Sequence, residues 1–205
     1  MKESKAFWDK AAARYARSPV KDEACYQKKL AITREYLKPD WSVLEFGCGT
    51  GSTALAHAPF VREIVATDIS DAMIEIATAK ATEAGITNVH FQQGTLNHPD
   101  LTPNRFDAVL GLNILHLLED LPGVLATIHR LLKSGGVFVS STALVSEINP
   151  VWRLAIPVMQ RVGLAPYVNR LGRQDLLQAL ATAGFEVDYD WQPGKESVFI
   201  VARKV

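Results

Sequence analysis

Residues Ser42-Val43-Leu44-Glu45-Phe46-Gly47-Cys48-Gly49-Thr50-Gly51 decide how this chain folds. The first five form a short, mostly apolar run suited to a buried strand. The run ends in three alternating glycines. Without a Cβ, these let the backbone turn sharply and approach a ligand closely. Residues 51 to 58 are rich in Ala and suit a helix, whose amino end offers unpaired N–H groups and a partial positive charge. A second apolar run, Glu63-Ile64-Val65-Ala66-Thr67, stops at Asp68. A carboxylate there can accept hydrogen bonds from vicinal ribose hydroxyls. Glycine turn and strand-end acid together predict a nucleoside-containing cofactor at the carboxyl edge of a sheet.

Working outward, the alternation continues. Ser70 can cap a helix over 71–84 that Gly85 ends. Val89-His90-Phe91-Gln92 and Phe106-Asp107-Ala108-Val109-Leu110-Gly111 read as strands. A helix is expected over 121–133, with Asp120 as cap, Pro122 in its first turn and Gly135-Gly136 beyond its end. Val137-Phe138-Val139-Ser140-Ser141 is a fifth strand. Strands alternating with helices predict an α/β fold with a parallel sheet covered on both faces. The tail differs: a helix over 173–183 precedes Phe185–Tyr189 and Ser197–Ala202, two strands joined too closely to be anything but antiparallel. At the start, Phe7, Trp8, Ala11, Ala12 and Tyr15 lie on one face of a helix over 5–17, and a second helix over 22–37 is stopped by Pro39. No repeat, low-complexity tract or linker interrupts the chain, so residues 1–205 are expected to form a single domain.

The 22 basic and 22 acidic residues cancel, which disfavours nucleic acid as a partner held by bulk electrostatics. Cys25 and Cys48 make neither a disulfide framework nor a four-ligand zinc site, and the histidines lack metal-ligand spacing, so no metal is expected. The opening residues contain no apolar run of signal-peptide length, and no stretch reaches the roughly 20 apolar residues that span a bilayer. A cytoplasmic location is the resulting expectation.

Two cofactors fit the glycine turn. Gly49-Thr50-Gly51-Ser52-Thr53-Ala54 satisfies the dinucleotide pattern G-x-G-x-x-G/A, and Asp68 follows at about the 20 residues that NAD recognition requires. Against NAD stand the additional Gly47 and Glu45, the antiparallel ending where a second nucleotide-binding half would be, and the absence of a Tyr-x-x-x-Lys pair.

The run Val43–Gly51 resembles the first motif of the class I S-adenosylmethionine-dependent methyltransferases. Ile64–Ser70 with Met73 resembles the second motif, and Phe106–Val109 with Leu115-His116 the fourth strand and its loop. Arg130–Gly136 is similar to the link into the fifth strand, and Phe7-Trp8-Asp9-Lys10 with Tyr15 to the start of the ubiquinone/menaquinone-biosynthesis type. The resemblance covers about 5–142 and 173–203. It implies a Rossmann-like seven-stranded, mostly parallel sheet of order 3-2-1-4-5-7-6 with an antiparallel last strand.

It also implies roles. Gly47, Gly49 and Gly51 would wall the methionine part of S-adenosylmethionine, with Cys48 as the small side chain inside the turn. Glu45 would approach the cofactor's ammonium, Asp68 would hold the ribose, and Ile69 and Met73 would pack on the adenine. Gly94, Thr95 and Leu96 would flank the adenine edge. A common family form has an acid where Thr95 stands, so a backbone carbonyl, Thr95 or Asn97 would meet the adenine amino group. Leu112 and Asn113 would sit beside the transferable methyl. The expected activity is methyl transfer by direct displacement to a small, apolar or aromatic acceptor, leaving S-adenosylhomocysteine. An NAD(P)-dependent oxidoreductase is one alternative; a domain that binds the cofactor without transferring the methyl, as a sensor or assembly subunit, is another.

Such a reaction needs alignment and exclusion of water more than it needs a catalytic side chain. Where a base is required, His116 is the first candidate and Tyr15 the second. Each also has a plainer reading: His116 as a hydrogen-bonded residue at a helix start, Tyr15 as packing. Residues 1–40 would supply a lid. Residues 144–172, with Val151–Met159 and Leu164–Val168, would form a helical cover over the acceptor, a packed helix hairpin, or a surface making peripheral membrane contact.

Overall fold

The computed structural model describes residues 2–149, 156–157, 159–161 and 165–205. Seven strands build one sheet: β1 (Ser42–Phe46), β2 (Glu63–Asp68), β3 (Val89–Gln93), β4 (Phe106–Leu112), β5 (Leu132–Ala143), β6 (Phe185–Gly194) and β7 (Ser197–Lys204). Their order is β3-β2-β1-β4-β5-β7-β6. β1 lies parallel between β2 and β4, and β7 is antiparallel to both β5 and β6. All five β1 residues are buried, as expected of a central parallel strand covered on both faces.

Helices α1 (Lys2–Arg17), α2 (Glu23–Tyr36), α3 (Ser52–His57), α4 (Asp71–Glu83), α5 (Leu121–Leu131) and α6 (Arg173–Thr182) frame the sheet. Strand alternation divides the core into two layers. Leu44, Phe46, Val109 and Phe138 pack with Leu121, Leu125 and Ile128 of α5 and Leu176 and Leu180 of α6. Val43, Ala66, Leu110 and Val139 pack with Ile32 of α2 and Ala54 of α3. The caps read from sequence are present. Ser70 accepts the Met73 N–H at 3.1 Å, and Asp120 accepts that of Gly123 at 2.9 Å.

Apart from a longer β6, which runs to Gly194 through residues expected to turn instead of ending at Tyr189, two stretches differ from the sequence reading. The fifth helix ends at Leu131, and β5 starts at Leu132 instead of Val137. Leu132 pairs with Phe106, and the Lys133 ammonium sits 2.7 Å from the half-buried Asp107 carboxylate, so the chain is drawn into the sheet early. Gly135, at φ +70, takes up the resulting irregularity. The second difference is in 144–172. Residues 156–157 and 159–161 are helical, whereas 165–172 are irregular. Residues 150–155, 158 and 162–164 lie outside the described residues, and with them part of the expected cover. No helix among the described residues is long and apolar enough to cross a membrane.

Candidate functional site

The three glycines of the β1–α3 turn all have positive φ, at +64, +53 and +75 for Gly47, Gly49 and Gly51. Their surroundings separate them. A Cβ on Gly47 would meet Ile114 at 2.7 Å, and one on Gly51 would meet Phe91 at 2.7 Å and Ala77 at 2.8 Å. At Gly49 it would find only Tyr15 Cε1, at 3.9 Å. Packing therefore enforces the outer two glycines. The middle one leaves open space against a cavity.

Asp68 organises that space. Its Oδ2 accepts the Gly49 N–H and its Oδ1 the Ser70 N–H, both at 2.9 Å, while its carbonyl accepts from Gly94 N at 2.9 Å. One residue thus ties the glycine turn, the α4 cap and the segment after β3. Burial raises its pKa and these backbone bonds oppose the rise. The residue itself lines the cavity.

Glu45 lies behind the turn. Alternation along β1 places it on the α2–α3 side, fully desolvated, and its Oε2 has no hydrogen-bond partner among the described residues. Burial, then the charge of Asp68, lifts its pKa from 4.5 to about 8. The Cys48 thiol beside it is buried, with its pKa pushed well up by desolvation and by Glu45 and Asp68. That rules out an activated nucleophile.

A cavity of about 610 Å³ opens over the carboxyl ends of β1, β2 and β4, within the usual range for a small-molecule site. Of the residues proposed from sequence, Gly47, Gly49, Asp68, Ile69, Met73, Gly94, Thr95, Leu96, Leu112, Asn113 and Tyr15 line it together. Glu45, Cys48, Gly51 and His116 do not.

His116 is turned to structural use. Its Nδ1 lies 3.0 Å from Thr142 Oγ1, its N–H donates to the same oxygen at 3.2 Å, and its carbonyl accepts from Asn169 at 2.7 Å. Burial lowers its pKa from 6.5 to about 4, so the ring is neutral at physiological pH. Tyr15 is half-exposed as a residue, yet its hydroxyl is desolvated and lies near Asp68. Both effects raise its pKa, which suits it to donate a hydrogen bond more than to take a proton.

Sequence reasoning missed Lys29. From α2 its Nζ donates to Ser141 Oγ at 2.8 Å, and that hydroxyl reaches Asn113 Oδ1 at 3.4 Å. Asn113 is held at φ +58, with its N–H donating to the Ser141 carbonyl at 2.6 Å. Lysine has no acceptor, so Ser141 accepts from Lys29 and turns its own proton to Asn113. No sequence spacing announces contacts across 112 and 28 residues. Leu117, Leu118 and Val124 also line the cavity and were likewise unannounced, whereas Pro166 and Tyr167 belong to the stretch expected to cover the acceptor.

Known proteins share this architecture. Residues 43–136 match the family model described as a methyltransferase domain. The uncharacterized methyltransferase YcgJ of Bacillus subtilis (strain 168) is 34% identical over 110 residues, 54% of this chain and 44% of that protein. Its crystal structure superposes with a TM-score of 0.72 at 18% identity, covering 87% of this chain and 98% of that one. The ubiquinone biosynthesis O-methyltransferase of Serratia proteamaculans (strain 568) is 26% identical over 117 residues, 57% of this chain and 48% of that protein. The geranyl diphosphate C-methyltransferase of Streptomyces coelicolor A3(2), solved with Mg2+, geranyl diphosphate and S-adenosylhomocysteine, superposes with a TM-score of 0.75 at 18% identity, covering 89% of this chain and 79% of that one. The chain thus spans about half the length of the curated relatives it matches. Residues 43–136 are thus similar to a methyltransferase domain, and the whole sheet has the strand order that the sequence resemblance implied.

Proposed function

We propose that the protein transfers a methyl group from S-adenosylmethionine to a small, apolar or aromatic acceptor. The observation that carries this reading is Asp68. It is a buried carboxylate at the end of β2, bonded to the glycine turn and the α4 cap, facing a cavity. The residues present fit the cofactor. Asp68 has lone pairs for ribose hydroxyls, Ile69 and Met73 offer apolar surface for the adenine, and the space at Gly49 admits a close approach. Glu45, with its orphaned oxygen behind the turn, keeps its proton in the empty site and would give it up when a cationic amino-acid end approaches. Asn113, which lines the cavity and is held in place by Ser141 and Lys29 behind it, offers its amide N–H to the carboxylate.

When bound, the cofactor supplies an electrophilic methyl on a sulfonium; the acceptor's electron pair forms the new bond as the carbon–sulfur pair returns to sulfur. The chain's part is to hold both molecules in line and keep water out. Phe46, Ile114, Leu117 and Leu118 provide apolar walls, and Trp8 and Tyr15 cover the cavity from α1. Pro166 and Tyr167 bring the 144–172 segment to the acceptor end. Those walls favour an apolar or aromatic acceptor. No side-chain base is assigned, since His116 is spent on Thr142.

The test is a screen of phenols, quinols, thiols and amines with S-adenosylmethionine, reading S-adenosylhomocysteine. Turnover of an apolar aromatic acceptor supports the reading. Tight cofactor binding with no turnover across the screen would instead favour a sensor.

A further inference from the structure

α1 is fastened to the molecule mainly by polar groups, and they converge on one point. Of its described side chains, only Ala11 and Ala12 are buried. Asp9 Oδ1 accepts the Ser70 hydroxyl at 2.6 Å and lies 3.4 Å from the Ala72 N–H. Its Oδ2 accepts from Lys5 Nζ at 2.7 Å, and Lys5 also reaches Asp71 at 2.8 Å. The helix thus docks on the first turn of α4.

Ser70 is also the cap that holds the ribose acid. Its N–H donates to Asp68 Oδ1, and its fully buried Oγ accepts the Met73 N–H. A carboxylate only accepts, so Asp9 fixes the direction of the Ser70 proton and locks the rotor beside Asp68. The same helix carries Trp8 and Tyr15 onto the cavity, Tyr15 against Gly49. Residues 18–22 join α1 to α2 without helix and are exposed, which permits α1 to move as a unit.

We infer that Asp9 is a positioning residue for the cofactor: it latches α1 to the Ser70 cap, so that seating the lid and ordering Asp68 are one event. This rests on the cofactor reading above and adds to it a residue outside the binding surface. Binding must then order α1, and freeing Asp9 must speed release.

The experiment uses the full chain, as wild type, Asp9→Ala and Asp9→Asn, with S-adenosylhomocysteine as the probe. Asp9→Ala should weaken binding about tenfold through faster dissociation, the factor expected from one charge-assisted hydrogen bond. Asp9→Asn should stay within about threefold, because a carboxamide oxygen still accepts from Ser70. Trypsin reports on the latch without ligand. At temperatures where both proteins are folded by their melting curves, cleavage after Lys10 and Arg14 should be faster in Asp9→Ala. The probe should protect those bonds in wild type. Equal dissociation and equal cleavage in wild type and Asp9→Ala overturn the latch. Accelerated cleavage in Asp9→Ala, with no probe bound by wild type, keeps the latch and removes the cofactor reading.

Discussion

The Asp68 carboxylate holds the Gly49 amide at 2.9 Å, joining the end of β2 to the glycine turn after β1. Replacing Asp68 therefore removes a ligand contact and loosens the turn that shapes the pocket. Asp68→Ala should weaken S-adenosylhomocysteine at least about tenfold, or about 1.4 kcal/mol. Isothermal titration of wild type and variant decides it, and unchanged affinity takes Asp68 out of the site.

The glycines should separate by experiment. Gly51→Ala places a Cβ 2.7 Å from Phe91 and 2.8 Å from Ala77 at a positive φ, so strain and clash add. A loss of about 2 kcal/mol or more in chemical denaturation is expected. Gly49→Ala has room for its Cβ and should cost about 1 kcal/mol in stability while losing more in cofactor affinity, since it fills the approach path. Equal effects on stability would contradict this division.

Glu45 sets a pH dependence. Its pKa is about 8 in the folded protein against 4.5 ordinarily, so between those values the folded chain keeps a proton that the unfolded chain releases. Stability from this group therefore falls as pH rises through that window, by up to about 1.4 kcal/mol per pH unit. Glu45→Gln removes the dependence. Denaturant midpoints at pH 5 and pH 8 should show the variant gaining on wild type at the higher pH. A difference that does not change with pH would place the orphaned carboxyl in a polar setting.

His57 and His116 act in the opposite sense. Burial holds both near pKa 4 instead of 6.5, so each stays neutral when folded. The stability this represents is present above pH 6.5 and lost as pH falls toward 4. His116→Ala should cost about 1 kcal/mol through the Thr142 contact and flatten part of the acid limb. Cofactor affinity should stay within about threefold, because the ring is off the cavity. A selective fall in turnover at unchanged stability would return His116 to a catalytic role.

The sheet was legible because its signals are local. Ser42–Phe46 is mostly apolar, Asp68 ends a strand, and Ser70 and Asp120 cap helices within three residues of their targets. The strand order came from resemblance, since pairing of β1 with β4 has no local mark. What stayed hidden is long-range. Asp9 finds Ser70 across 61 residues and Lys29 finds Ser141 across 112, each a single hydrogen bond that no periodicity encodes. The displacement of His116 from the cavity is of the same kind, because it depends on where Thr142 lies in β5. The early start of β5 depended on Lys133 meeting Asp107, again a contact between elements.

The most direct test is calorimetric titration of the full chain with S-adenosylmethionine, S-adenosylhomocysteine, NAD and NADP. The account predicts one site per chain, micromolar affinity for the first two, and no heat from the dinucleotides. Binding of NAD or NADP alone, or of none of the four, would contradict it.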